Sequence, residues 1–100
     1  MSLSNEQKKH YRAIGHNLNP IVTIASNGLS ESVANEIERA LSDHELIKIK
    51  LAIGDRGARK AAVDAICELT HADVVQEIGK VAIIFREAKQ PNPKLSNRLR

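Results

Sequence analysis

One hundred residues, 42% of them hydrophobic and 27% charged, make a chain of one-domain size whose composition is that of a folded rather than a disordered protein. The longest purely apolar stretch, Val81 to Phe85, is too short to cross a bilayer, and the start lacks the basic region and apolar run of a secretory signal, so a cytoplasmic protein without a membrane partner is expected. The net charge of +3 is unevenly spread, with +2 on residues 1–20, −3 on residues 21–87 and +4 on residues 88–100; basic ends around an acidic body suit a polyanionic partner, and equally serve to keep a chain soluble.

Tyr11, Ile14 and Leu18 recur at helical spacing, which predicts a first helix over residues 4–16 with Ser4 as N-cap. Pro20 forces an extended entry, and Ile21 to Ile24 read as a short β-branched strand. After Ser26-Asn27-Gly28, Ser30 can cap a second helix with a buried stripe of Val33, Ile37, Ala40 and Leu41. Glu45 to Ala52 alternates strictly. Ile47, Ile49 and Leu51 share one face and Leu46, Lys48 and Lys50 the other, so this is a strand with one partly wet face.

Gly54-Asp55-Arg56-Gly57 breaks the chain before a third helix, whose expected stripe is Ala58, Ala62, Ala65, Ile66 and Leu69. Cys67, the single cysteine, fits beside that stripe as a small buried hydrophobe. Val74 to Ile78 and Val81 to Arg86 are strands joined by a two-residue Gly79-Lys80 turn, with glycine where positive φ is needed. The order α-β-α-β-α-β-β predicts an α/β domain with a four-stranded mixed sheet, parallel where the first three strands are neighbours and antiparallel at the hairpin. The face covered by the first helix is left open. The apolar periodicity stops at Glu87, so a domain over 1–87 and a flexible basic tail over 88–100 are expected.

If the first two strands run parallel, the loops Ser26-Asn27-Gly28 and Gly54-Asp55-Arg56-Gly57 leave the same C-terminal edge of the sheet, and each opens a helix. Helix N-termini offer unpaired N–H groups to an anion. Arg56, Arg59 and Lys60 stand where the helix macrodipole disfavours cations, which calls for an external anion; the plain alternative is that the glycines only serve turn geometry. Lys8 and Arg12, with His16 a turn further on, line one side of the first helix, and Lys48 and Lys50 share the wet strand face. Both rows are further phosphate-binding candidates, although such rows are commonly only solvated faces. The four histidines show no metal-ligand spacing and no nucleophile motif is present, so neither metal nor cofactor nor catalysis is expected. With Tyr11 and Phe85 as the only aromatic residues, stacking of bases gives way to recognition of backbone and shape.

Several strings together resemble the CRM domain (chloroplast RNA splicing and ribosome maturation) in its stand-alone bacterial, YhbY-like form: Gly15-His16-Asn17-Leu18-Asn19-Pro20, Ser26-Asn27-Gly28-Leu29-Ser30, His44-Glu45-Leu46-Ile47-Lys48-Ile49-Lys50, Val75-Gln76-Glu77-Ile78-Gly79-Lys80 and Phe85-Arg86. The resemblance spans about residues 3–87. It implies an α/β RNA-binding domain similar to the C-terminal domain of translation initiation factor three, with a Gly-x-x-Gly loop like that of KH domains. It also implies association with precursors of the large ribosomal subunit. One departure is Ala25, which stands where the family loop has its first glycine.

The resulting expectation is a monomeric RNA-binding protein, with ribosomal RNA or a pre-ribosomal particle as partner, that contacts the phosphate backbone of structured RNA. A module docking on a ribosomal protein is the alternative from another class. A small enzyme acting on phosphorylated compounds at the same loop edge is a third, disfavoured because no base, nucleophile and stabiliser converge locally.

Overall fold

The computed structural model describes residues 3–25, 28–90, 94, 96 and 97. Its elements are α1 (Asn5–His16), β1 (Pro20–Ala25), α2 (Glu31–His44), β2 (Leu46–Ala52), α3 (Arg56–Thr70), β3 (Asp73–Ile78) and β4 (Val81–Phe85). Each helix starts at a side chain that satisfies an orphan backbone N–H. Ser4 Oγ accepts from Gln7 N at 3.1 Å while Gln7 Oε1 accepts from Ser4 N at 3.0 Å, a reciprocal capping box. Ser30 Oγ accepts from Val33 N at 3.2 Å, and Asp55 Oδ2 from Ala58 N at 2.7 Å. The cap at Asp55 makes Arg56 the first residue of α3 rather than a loop residue.

The sheet order is β1-β2-β4-β3. β1 and β2 pair in parallel, and β4 pairs antiparallel with both β2 and β3. The two-residue turn therefore returns β4 into the middle of the sheet, and β3 becomes an edge strand running in the direction of β2. Only β1 and β2 are parallel neighbours.

The alternation of β2 divides the protein into two cores. On one face Ile47, Ile49 and Leu51 pack with Val22, Ile24 and Ile84 beneath α2 and α3. On the other, Leu46, Val75, Ile83 and Phe85 pack beneath Tyr11 of α1. Helix α1 thus covers the face opposite the other two helices, and the partly wet face is wet only at its far end: Leu46 is fully buried, Lys48 half-buried and Lys50 exposed. Tyr11 stacks on Phe85 with ring centroids 4.7 Å apart. Gly15 lies so close to β4 that a Cβ there would fall 2.7 Å from Ile83 Cδ1 and 2.9 Å from its Cγ2, which sets how tightly α1 can sit.

Helix α3 is rotated relative to the expected stripe. It buries Val63, Ile66 and Thr70, with Ala62 and Cys67 partly buried, while Ala58, Ala65 and Leu69 face solvent, Leu69 at 58% exposure. Alanines bury little area, so the branched Val63 and Ile66 decide the rotation, and Thr70 follows because its hydroxyl donates to Ile66 O at 2.7 Å. Cys67 packs against the core as expected, and burial, reinforced by Asp64, pushes its thiol up to about 11.

Arg86, just beyond β4, ties three elements together. Its Nη1 donates to Thr70 O at 3.0 Å, and its Nη2 donates to Ser42 Oγ at 3.0 Å and Glu38 O at 3.3 Å and pairs with the Glu38 carboxylate. That hydrogen bond holds the Glu38 carboxyl below its ordinary range.

Three residues of the segment expected as a tail, Ala88, Ser96 and Asn97, make defined contacts. The α2–β2 junction places Glu45, fully buried, at φ 62° and ψ −47°, a strained region for a non-glycine residue. Its carboxylate accepts from Ala88 N at 2.8 Å and Ser96 Oγ at 2.7 Å. Asn97 donates from its backbone N to His44 O at 2.8 Å and from Nδ2 to Leu46 O at 2.7 Å. A buried carboxylate needs donors, and here the C-terminal segment supplies them, so the segment is latched at Ala88, Ser96 and Asn97. Residues 91–93, 95 and 98–100 of the expected tail lie outside the described residues.

Candidate nucleic-acid interface

Parallel pairing of β1 and β2 brings Ala25 opposite Ala52, so the chain leaves both strands at one edge of the sheet. Because β3 runs the same way, the β3–β4 turn reaches that edge too, where Leu51 N donates to Lys80 O at 2.7 Å. Three connections therefore converge: the one leading to Gly28, the one through Gly54 and Asp55, and Gly79-Lys80. Gly28 and Gly79 have φ of 95° and 54°, and nothing lies within 4 Å of where a Cβ would sit at either, so the backbone is open to close approach there. Ser26 and Asn27 lie outside the described residues.

The cations at this edge differ in availability. Arg56 is exposed on the first turn of α3. Arg59 is half-buried, and its Nη1 donates to Ile53 O at 2.8 Å and Gly54 O at 3.0 Å, so it braces the β2–α3 loop while keeping its charge beside the helix start. Lys60 stands 3.8 Å from Asp64, both largely exposed, an ion pair weak enough to exchange for another anion. Lys80 is exposed on the hairpin turn, and Lys50 is exposed on the α1 side of the sheet beyond the end of that helix. A cavity of about 690 Å³ opens between α3 and the hairpin, with Leu51, Val63 and Val81 as its apolar wall and Arg56, Lys60 and Glu77 among its polar lining.

The remaining candidates are not brought to this edge. Lys48 Nζ donates to His16 O at 3.2 Å and so caps the C-terminus of α1, where the helix dipole favours a cation. Lys8 and Arg12 lie on α1, which runs from beyond Phe85 toward Ile83; Tyr11 at Phe85 marks the opposite end of the sheet from the loops. Lys80 and Glu77 were not foreseen; they reach this edge because β3 runs parallel to β2, and insertion of β4 beside β2 then sets Lys80 next to Leu51. Ala25 is the last residue of β1, paired with Ala52 and without positive φ, so its methyl group imposes no backbone strain.

Neither ring offers a stacking platform, because Tyr11 and Phe85 are buried against each other. Among the described residues no cluster of three or more His, Cys, Asp or Glu side chains forms a metal-binding group, and no helix is long and apolar enough to cross a membrane.

Comparison with known proteins identifies relatives of the whole chain. A Pseudomonas aeruginosa protein named "Probable RNA-binding protein" is 50% identical over 97 residues, covering 97% of this chain and 93% of its own length. A Haemophilus influenzae "RNA-binding protein" is 40% identical over 94 residues, covering 94% of this chain and 95% of its own. The solution structure of a Staphylococcus aureus protein, described as a candidate RNA binder, superposes with a TM-score of 0.79 at 32% identity over 88% of this chain and 92% of the other. The family model for the CRS1 / YhbY (CRM) domain matches residues 3–86, nearly the whole described fold, and the chain belongs to that family.

Proposed function

We propose that this protein binds structured RNA through the loop edge of its sheet, contacting phosphates rather than stacking bases, and that it serves assembly of the large ribosomal subunit without catalysing a reaction. The observation that carries the reading is the convergence of Arg56, Arg59, Lys60 and Lys80 with Gly28 and Gly79 at one edge. Cations set around open backbone and a helix N-terminus suit a run of phosphates better than a single small anion, which one such group would hold. The names of the relatives support RNA as the partner. The ribosomal role rests on the family resemblance.

The test is crosslinking in cells followed by sequencing of the attached RNA, with wild type beside an Arg56→Ala/Lys60→Ala/Lys80→Ala variant. Enrichment of large-subunit precursor RNA on the wild type and its loss from the variant is the expected result. Equal recovery by both would move recognition elsewhere on the molecule. Association with ribosomal proteins that survives nuclease treatment would favour the docking module instead.

A further inference from the structure

The cavity between α3 and the β3–β4 hairpin holds a combination that contacts to a paired backbone leave unexplained. Its lining is apolar at half-buried Val81, above the core residues Leu51 and Val63, and carries Glu77, an exposed carboxylate, among the cations. A carboxylate repels phosphate, so a site for phosphates alone gains nothing from it. The volume, about 690 Å³, is large enough to admit one nucleotide. The usual way of holding an extruded base, an exposed aromatic ring, is absent because Tyr11 and Phe85 are buried on each other.

We propose that this cavity takes one unpaired nucleotide of the bound RNA, preferably guanosine, an inference that rests on the RNA-binding reading above. The base lies against Val81, its phosphate meets Arg56 and Lys60, and its Watson–Crick edge donates to Glu77. Guanine presents N1–H and N2–H side by side, a bidentate match for a carboxylate. Uracil offers one N–H between two carbonyl oxygens that repel it. A base inside a duplex has this edge occupied, so Glu77 separates unpaired from paired nucleotides as well as one base from another.

Three RNA hairpins sharing one stem, with a bulged G, a bulged U or no bulge, test this at one fixed salt concentration by fluorescence anisotropy. The bulged-G hairpin should bind about tenfold tighter than the other two, the difference expected for a charged hydrogen-bond partner. Glu77→Ala should bring it down to the level of the bulged U while leaving the unbulged hairpin unchanged or slightly tighter. Kethoxal, which attacks N1 and N2 of unpaired guanine, should be blocked at the bulge by the wild type and not by Glu77→Ala. Glu77 is exposed, so the variant should melt like the wild type.

Equal binding of all three hairpins would overturn the pocket inference and leave the RNA-binding reading standing. Binding of none would remove both. A bulged-G preference that persists in Glu77→Ala would overturn the role given to that carboxylate.

Discussion

Glu45 and Ser96, 51 residues apart, meet in the buried junction between α2 and β2, where Ser96 Oγ donates to Glu45 Oε1 at 2.7 Å. The Glu45 backbone sits at positive φ, and Ala88 N also donates to its carboxylate. The C-terminal segment is therefore part of the fold at these points, which bears directly on what truncation does.

Ending the chain at Glu87 removes both of these donors and the two Asn97 hydrogen bonds. Stability should fall by about 1–3 kcal/mol, the range for leaving a buried polar group short of partners. For a chain of this size that is on the order of 4–8 °C in Tm per kcal/mol. Glu45→Gln should cost less in the full-length protein, because the amide oxygen can still accept from Ala88 N–H while the amide nitrogen donates to the Ser96 hydroxyl, which can accept as well as donate. Thermal melts of both proteins check this. An unshifted melt for the truncated chain would mean that the latch adds nothing to stability.

RNA affinity should depend steeply on salt. With about six phosphate contacts, binding should weaken roughly a thousandfold between 50 and 200 mM salt through counterion release. Arg56→Ala/Lys60→Ala/Lys80→Ala should flatten the log–log slope by about 2–3. Lys8→Ala/Arg12→Ala, at the far end of the sheet, should leave it nearly unchanged. Titrations at four salt concentrations separate the two variants, and a flat response in the wild type would remove the electrostatic basis of the proposed interface.

Ala25→Gly is expected to leave RNA affinity within about twofold, because Ala25 is a paired strand residue that needs no positive φ. Its cost should be conformational, roughly 0.5–1 kcal/mol of stability. Side-by-side binding and melting of the two proteins decide it. A clear gain in affinity would mean that the methyl group, and not the backbone, limits approach of the RNA.

The Glu38–Arg86 pair gives a defined acid response. The Glu38 carboxyl is held below its ordinary value of 4.5, first by its hydrogen bond from Arg86. A depressed carboxyl adds stability above its unfolded-state value and loses it as pH falls through the folded-state value. The contribution should therefore be complete above about pH 5 and decline from pH 4.5 downward. The Glu38 side chain is 51% exposed, so solvent screening keeps the effect small. In urea melts, Glu38→Gln should be less stable than wild type at pH 6, with the gap narrowing toward pH 3. A gap that widens on acidification would contradict the assignment.

What the sequence determined by itself is local. Ser4, Ser30 and Asp55 start helices because a cap reaches only two or three residues along the chain, and the Gly79-Lys80 turn is set by two residues. The period-2 pattern of β2 reports burial on either side of its own backbone, and a parallel β1–β2 pair alone sends two loops to one edge. The tertiary structure decided everything that depends on which distant surfaces fit together. Insertion of β4 between β2 and β3 sets the Gly79-Lys80 turn beside Leu51, and no local signal encodes strand order. The contact of Gly15 with Ile83 places α1 on the opposite face and leaves Lys48 capping that helix instead of facing a ligand. Val63 and Ile66 outweigh the alanines in turning α3, because burial rewards the larger apolar area. Glu45 is read from sequence only as the start of an alternating strand; the return of Ser96 and Ala88 to its carboxylate makes it a buried anchor, since a charge can leave water only where the fold delivers its donors.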